Sequence, residues 1–142
     1  MKIFTMNTCL LDSNLLIYAY NIDSVENALN CDIDAYVADK NLFEFFAVIT
    51  DPKRVSKPLT VHEAIKVIKV YQESNYLKIL HTSPQTHVKA FELAEEYNIS
   101  KQDIFDVVLV AIMLENDVHC IYTRNDQHFK IFDFLTVINP FE

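Results

Sequence analysis

Three acidic side chains interrupt stretches of sequence that are otherwise apolar. Asp12 closes a short apolar segment, Glu44 is the only charged residue in 42–49, and Asp106 is the only polar residue in 104–114. A carboxylate buried without a cationic partner is strongly unfavourable or takes up a proton. Neither of the two long apolar runs contains a lysine or arginine. A divalent cation shared by the three acids would satisfy all of them, and hard oxygen ligands select Mg²⁺ or Mn²⁺.

Each acid also has a simpler interpretation when it is taken alone. Asp12 would serve equally well as the N-cap of the helix that follows it. Glu44 lies early in its predicted helix, where it would face solvent and complement the helix dipole. Asp103 reads as a capping acid, whereas Asp106 has little solvent-facing helix surface available to it. The coincidence of all three in apolar surroundings favours a shared site.

The order of predicted elements shows how the chain would bring these acids together. Strands alternating with helices predict a three-layer α/β/α sandwich around a mainly parallel sheet of four to five strands. In such sheets ligands bind beyond the carboxyl ends of the strands, which is where Asp12 lies. The predicted strands are 8–11, 35–38, 77–80, 120–123 and 135–138. The predicted helices are 14–20, a helix that starts at 39–41 and runs apolar over 42–50, a helix capped by Thr60 and Glu63, a helix beginning at Pro84, and 104–114 capped by Ser100.

Length and composition indicate a single domain covering residues 1–142. The net charge of −8 argues against broad adhesion to nucleic acid or anionic membranes. No apolar run is long enough for a membrane span, so no membrane partner is expected.

The three cysteines form no Cys-x-x-Cys pair. Cys9 and Cys120 are expected to be buried free thiols, and a cytoplasmic location is the natural expectation.

Two further groups of polar residues are candidates for a site. Thr123, Asn125 and Asp126 follow the fourth strand at the same sheet edge as Asp12, although an ordinary turn explains Asn and Asp there equally well. The loop that carries Lys53, Arg54 and Lys57 is the densest basic group. A solvated turn is as good an explanation for it as contact with phosphates.

Taken together, these motifs resemble the PIN-domain ribonucleases, and specifically the VapC-like toxins of toxin–antitoxin pairs. The resemblance runs from about Cys9 to Pro140 and depends on four segments in order. They are 10–18, similar to the family's Leu-Asp-Thr-Asn-x-x-Ile start, 41–46 with the second acid, 103–111 with the third acid, and a closing segment formed by 122–125, Phe129 and 137–140.

The resemblance implies a function and a set of site residues. Asp12, Glu44 and Asp106 would hold Mg²⁺ or Mn²⁺, with Asn125 or Asp126 as a fourth ligand. Asn14 and Thr123 would support the site. The implied activity is metal-assisted hydrolysis of RNA phosphodiester bonds. Lys53, Arg54, Lys57 and Arg124 would contact the RNA. The implied partners are an RNA substrate, a cognate antitoxin and a second copy of the chain in a homodimer.

Three departures from the family pattern keep other functions open. Ser13 replaces the family's Thr, His128 stands where an Asp often precedes Phe129, and 21–34 is short for the usual helical segment. One alternative is a PIN-like module with weakened catalysis that serves as a binding or assembly partner. Another is a nuclease that acts on DNA or structured nucleic acid.

Overall fold

A five-stranded sheet forms the centre of the molecule. The structure is a computed structural model that describes residues 8–22, 34–75 and 77–141. The strand order is β3-β2-β1-β4-β5, and every neighbouring pair is parallel. The strands are β1 (Thr8–Leu11), β2 (Asp34–Ala38), β3 (Leu77–Leu80), β4 (Cys120–Tyr122) and β5 (Thr136–Ile138). The prediction of a parallel sheet is confirmed, with β1 at its centre.

Helices cover both faces of the sheet and complete the predicted three-layer sandwich. They are α1 (Ser13–Ile22), α2 (Asp39–Ile49), α3 (Val61–Glu73), α4 (Thr86–Tyr97), α5 (Ile104–Glu115) and the short α6 (Asp126–Phe129). A 3-10 turn, Lys101–Asp103, leads into α5. Within the described ranges, no helix is long and apolar enough to cross a membrane.

The hydrophobic core has two parts, one on each face of the sheet. Successive strand residues point to opposite faces, and Leu10 and Leu11 accordingly belong to different core clusters. Leu10 packs with α4 and α5, whose buried members include Leu93 and Val110. Leu11 packs with α1, α2 and α3 through residues such as Phe45. Burial on both faces explains why the strands are apolar without alternation.

One predicted helix start is confirmed and one differs. α2 begins at Asp39, within the predicted start at 39–41, and the Asn41 side-chain oxygen accepts a hydrogen bond from the Ala38 N–H there. α4 begins at Thr86, two residues after the predicted Pro84, and the Ser83 N–H donates to the Thr86 hydroxyl ahead of it. The helix boundary at Asp39 matters for the site, since it places one more cation in α2.

Two predicted capping boxes have different outcomes. The Thr60–Glu63 box is confirmed, with a hydrogen bond in each direction. Ser100 makes no side-chain cap, because the 3-10 turn satisfies the start of α5 instead. The short segment noted at 21–34 lies largely outside the described residues.

Because the chain contains no glycine, other residues occupy the left-handed backbone region. Asn98, Lys101 and Asp117 have φ values of 53°, 60° and 57°. Asn and Asp tolerate this region better than most residues. Asn98 ends α4 there, as an αL C-cap.

The two cysteines in the sheet do not match their prediction. Cys9 and Cys120 were expected as free thiols, but they form a disulfide with Cα atoms 4.6 Å apart. The parallel register pairs Leu10 with Ile121, so the preceding cysteines lie directly opposite each other on β1 and β4. The prediction is wrong because a sequence does not show which residues face each other across neighbouring strands.

Candidate metal centre

Asp12 lies where β1 ends and α1 begins, at the carboxyl edge of the sheet. Its side chain is buried, with 7% of its surface exposed. The Thr123 hydroxyl donates to Asp12 Oδ2 over 2.8 Å, and the Ser13 N–H donates to Oδ1 over 2.8 Å. The Asn14 amide lies 3.5 Å from Oδ2, at the outer limit for a hydrogen bond. Two strand ends and the start of a helix therefore hold this carboxylate in one position.

The surroundings of Asp12 do not favour a negative charge. Burial raises the pKa of its carboxyl above the usual value, and the nearby Glu44 carboxylate raises the pKa further. The Thr123 and Ser13 hydrogen bonds act in the opposite direction. In the described part of the chain Asp12 forms no ion pair. A bound cation would supply the missing positive charge.

Asn41 connects Asp12 to Glu44, a role that the sequence analysis missed. Its side chain is fully buried, and its amide nitrogen lies 3.2 Å from Glu44 Oε1 and 3.5 Å from Asp12 Oδ1. Its oxygen is held by the Ala38 N–H. The sequence could have identified Asn41 by its position three residues before Glu44, which places both side chains on the same face of the helix.

Glu44 is not the isolated buried acid that the apolar run suggested. Its side chain is 46% exposed and lies 3.4 Å from Lys40 Nζ. The run 42–49 contains no cation, but α2 begins at Asp39 and therefore includes Lys40 at position i−4. Lys40 also lowers the pKa of Asp12 through its charge.

Asp106 lies in the first turn of α5 and also has a partner. The His128 Nδ1 atom is 2.8 Å from Asp106 Oδ2, and the two side chains are 53% and 29% exposed. Asp103 lies close by, and ligand atoms of these three residues all lie within 4.8 Å of one another. Asp103 makes no side-chain cap, in contrast to its expected role. No hydrogen bond or ion pair joins Asp106 to Asp12 or Glu44 in the described ranges.

The remaining predicted site residues fall into two groups. Thr123 is fully buried against Asp12, and Asn14 Oδ1 accepts from the Arg124 N–H over 3.2 Å, so both support the Asp12 region. Asn125 has an exposed side chain, and its N–H donates to the Thr123 hydroxyl. Asp126 is buried and bonded to Lys130 at 2.9 Å and Asn139 at 3.3 Å.

These bonds bear on the choice between Asn125 and Asp126 as a fourth ligand. The Lys130 hydrogen bond holds the pKa of Asp126 below its usual value. Both oxygens of the Asp126 carboxylate have partners: Oδ2 pairs with Lys130 at the end of α6, and Oδ1 accepts from Asn139 in the segment after β5. The Asn125 side chain is the more accessible of the two.

The predicted RNA-binding cations lie in two places. Lys53, Arg54 and Lys57 are exposed in the loop beyond the carboxyl end of α2, whereas Glu44 lies in the middle of that helix. Arg124 directly follows Thr123, and its guanidinium lies 3.9 Å from the centre of the Phe141 ring. Lys40 acts on Asp12 through its charge, whereas Arg124 contacts the Asp12 region through its backbone N–H, which donates to Asn14.

The sequence and the fold of this chain are both similar to those of VapC proteins. The chain is 27% identical to Ribonuclease VapC24 of Mycobacterium tuberculosis over 138 residues, which cover 92% of this chain and 94% of the relative. VapBC-1 from nontypeable Haemophilus influenzae is similar in structure, with a TM-score of 0.67 at 12% identity, covering 95% of this chain and 99% of that chain.

Two further solved structures share the fold at low sequence identity. VapBC2 from Rickettsia felis, bound to a DNA fragment from its promoter, has a TM-score of 0.66 at 18% identity and covers 93% and 98% of the two chains. The sarcin-ricin loop cleaving toxin VapC20 of Mycobacterium tuberculosis has a TM-score of 0.65 at 11% identity and covers 87% and 95%. The family model for the PIN domain matches residues 9–135. The chain therefore belongs to the PIN-domain family.

Proposed function

We propose that this protein is a divalent-metal-dependent endoribonuclease that acts as the toxin of a toxin–antitoxin pair. The observation that carries the proposal is the buried Asp12 carboxylate, which forms no ion pair with any residue that the structure describes and is linked through Asn41 to Glu44 at the sheet edge where ligands bind. The similarity to Ribonuclease VapC24 over nearly the whole chain supports RNA as the substrate.

The residues at this edge fit an Mg²⁺ or Mn²⁺ ion. Asp12 and Glu44 offer carboxylate oxygens on adjoining elements, and a positive charge beside Asp12 would offset the cost of burying it. Asp106 offers a third carboxylate at the start of α5. When bound, the ion supplies charge stabilisation at the phosphoryl oxygens and a nucleophilic water at neutral pH.

The chain's own residues orient this site. Thr123 and the Ser13 N–H fix the Asp12 carboxylate and favour its ionised form. Asn41 keeps the Glu44 carboxylate beside Asp12. Lys40 supplies positive charge close to the acids, and Arg124, whose guanidinium lies over the Phe141 ring, would contact an approaching RNA phosphate. Lys53, Arg54 and Lys57 would contact RNA farther along the strand, and Asn125 would complete the ligand set.

A cleavage assay tests the activity. RNA, single-stranded DNA and duplex DNA are incubated with the purified chain in Mn²⁺ or EDTA. We expect RNA cleavage that requires Mn²⁺ and is lost in Asp106→Asn, with Asp133→Asn as the matched control on the exposed surface. Cleavage confined to DNA would replace the proposal with the DNA-directed alternative, and RNA cleavage by a folded Asp106→Asn protein would remove Asp106 from the site.

The proposed partners are an antitoxin and a second copy of the chain. Several structurally similar proteins are toxin–antitoxin complexes, which supports an antitoxin for this chain. We expect expression of this chain alone in the cytoplasm to arrest the growth of the cells, and co-expression with the cognate antitoxin to restore growth. Light scattering should give twice the mass of the 142-residue chain if it forms a homodimer. A growth-neutral chain with full RNase activity would argue against the toxin role.

A weakened, non-catalytic module is the second candidate, and one observation favours it. Glu44 and Asp106 already have partners, since Glu44 pairs with Lys40 and Asp106 lies 2.8 Å from the His128 imidazole. Calorimetric titration with Mn²⁺ separates the two candidates. An intact site binds Mn²⁺ and loses binding in Asp12→Asn, whereas a decayed site binds no metal in either protein.

A further inference from the structure

An aromatic stack lies where the segment after β5 meets α1. The guanidinium carbon of Arg124 lies 3.9 Å from the centre of the Phe141 ring. The Tyr18 ring packs edge to face against the same Phe141 ring, with 4.9 Å between the ring centres and 88° between the ring planes. Phe141 also packs against the core cluster that contains Leu11. The ring under the guanidinium is therefore itself fixed by the fold.

Two asparagine side chains hold the backbone of Arg124. Its N–H donates to Asn14 Oδ1 over 3.2 Å, and its carbonyl oxygen accepts from the Asn139 amide over 3.3 Å. The oxygen of the same Asn139 side chain accepts from the Phe141 N–H over 3.0 Å. Asn139 therefore joins the residue that carries the guanidinium to the residue that carries the ring.

This contact leaves the hydrogen-bonding edge of the guanidinium available. A guanidinium that stacks on a ring contacts it through its planar face, whereas its five N–H donors lie in the plane and point outward. Arg124 is exposed, and it forms no ion pair with any residue in 8–22, 34–75 or 77–141. These donors match two oxygens of a phosphate group in a bidentate contact.

The position of the stack indicates which phosphate Arg124 can reach. Arg124 directly follows Thr123, whose hydroxyl donates to Asp12, so its backbone lies at the sheet edge. Its guanidinium, however, lies over a ring that contacts Tyr18 in the second turn of α1. The cation therefore lies to the side of the buried acid, where it would meet a phosphate next to the one that is cleaved.

We propose that Phe141 is a positioning residue that holds the Arg124 guanidinium for contact with a phosphate of the RNA substrate. This inference rests on the proposed function, and it adds a residue that acts on RNA affinity through Arg124. A long exposed side chain loses rotamer freedom when it binds a ligand, and holding it in place beforehand reduces that cost. The ring therefore strengthens RNA binding without contacting the RNA or the metal ligands.

The first test measures RNA binding as a function of salt. Labelled single-stranded RNA is titrated in EDTA with wild-type protein, Phe141→Leu, Phe141→Tyr and the matched control Phe91→Leu, which changes an exposed phenylalanine on α4. We expect Phe141→Leu to bind about 3- to 10-fold more weakly. Its slope of log affinity against log salt should be shallower by up to about 0.7, the value of one phosphate contact. Phe141→Tyr, which keeps the ring face, and Phe91→Leu should bind as the wild type does.

The same titration separates positioning from simple stabilisation. A stack that only stabilises the end of the chain would lower the melting temperature of Phe141→Leu and leave its RNA affinity and salt slope at the wild-type values. That result would overturn the proposal.

A double-substitution cycle tests whether the ring acts through Arg124. We expect Arg124→Met to weaken RNA binding, and Phe141→Leu to add little in the Arg124→Met background. An equal loss from Phe141→Leu in both backgrounds would contradict the proposal, because the ring would then act without the guanidinium. In Mn²⁺-dependent cleavage, Phe141→Leu should raise KM and leave kcat within about 2-fold. A fall in kcat at unchanged KM would also contradict it.

Proton NMR of the free protein makes the outcome separable from that of the proposed function. The ring current of Phe141 should shift the Arg124 side-chain protons upfield, and this shift should be lost in Phe141→Leu but kept in Phe141→Tyr. If Asp106→Asn abolishes RNA cleavage while Phe141→Leu binds RNA normally, only the further inference fails. If the wild-type protein shows the upfield shift but neither binds nor cleaves RNA, the stack exists and both the proposed function and its extension to Phe141 fail.

Discussion

The two groups of carboxylates at the carboxyl edge of the sheet accommodate their charge in different ways. Asp12 is buried, held by Thr123, and has no ion pair among the described residues. Asp106 is partly exposed and rests against His128. Burial disfavours the charged form of Asp12, whereas Asp106 has access to solvent and contacts an imidazole. We therefore expect the proposed metal dependence to rest most strongly on Asp12.

The largest effect is expected for Asp12→Asn on RNA cleavage. Losing the central ligand removes about 4 kcal/mol of metal-assisted stabilisation, which is about a 1000-fold fall in rate. Single-turnover cleavage of labelled RNA at saturating Mn²⁺ measures it. Asp133→Asn, which changes an exposed acid, should cleave at the wild-type rate; a small loss in Asp12→Asn would show that the buried acid is not central.

In the absence of metal, Asp12→Asn should make the folded protein more stable, although it abolishes most of the cleavage activity. Burial raises the pKa of Asp12, so the folded state holds this proton more tightly than the unfolded state does. The stabilisation is present below the unfolded pKa and is lost as pH rises through the folded pKa. At neutral pH the variant should therefore melt at a higher temperature than wild type, with the difference fading in acid. A variant less stable at every pH would contradict this electrostatic picture.

Reduction of the disulfide should affect the fold behind Asp12 more than the Asp106 group. Cys9 and Cys120 join the two strands that deliver Asp12 and Thr123. Breaking the bond should cost about 2–4 kcal/mol in the free energy of unfolding. Urea unfolding with and without reductant measures it, and Cys9→Ser should be insensitive to reductant. Identical midpoints for the wild-type protein would show that the two thiols are not joined in solution.

Thr123→Val removes the hydroxyl that holds Asp12 while keeping the side chain's shape. The buried Asp12 oxygen and the Asn125 N–H each lose a partner, at a cost of about 1–3 kcal/mol. Because the lost hydrogen bond lowers the pKa of Asp12, the pH midpoint of Mn²⁺-dependent cleavage should move upward. Thr136→Val, an exposed position on β5, serves as the control. An unshifted pH profile would show that the Thr123 hydroxyl does not influence the carboxylate used in cleavage.

The smallest effect is expected for Lys40→Met. Lys40 pairs with the exposed Glu44 and competes with a metal ion for the same negative charge. Removing it should tighten Mn²⁺ binding by up to about 5-fold, the range expected of an exposed ion pair. Calorimetry of Lys40→Met and of Lys66→Met, an exposed lysine on α3, makes the comparison. Weaker Mn²⁺ binding in Lys40→Met would indicate that Lys40 organises the acids instead.

The sequence predicted the sheet and the central residues because their signals are local. An apolar strand that ends in Asp12, and a second strand that ends at Thr123, place both at one sheet edge once the sheet is parallel. The structure confirms the parallel sheet and brings these two side chains within 2.8 Å.

Two of the missed features depend on tertiary contacts. His128 meets Asp106 from another helix, 22 residues away in sequence. The cysteine pair required the register of β1 against β4. Neither contact has a periodicity or a short motif that a single sequence reveals. The Lys40–Glu44 pair is different, because its i,i+4 spacing on one helix is visible in the sequence.

The most direct test of the account is the metal dependence of RNA cleavage. The wild-type chain is stripped with EDTA, and the cleavage rate of labelled RNA is measured as Mn²⁺ is added back. The account predicts no cleavage without metal and a saturable rise with Mn²⁺. Cleavage at the full rate by the stripped protein would contradict the claim that the buried acid and its neighbours work through a divalent cation.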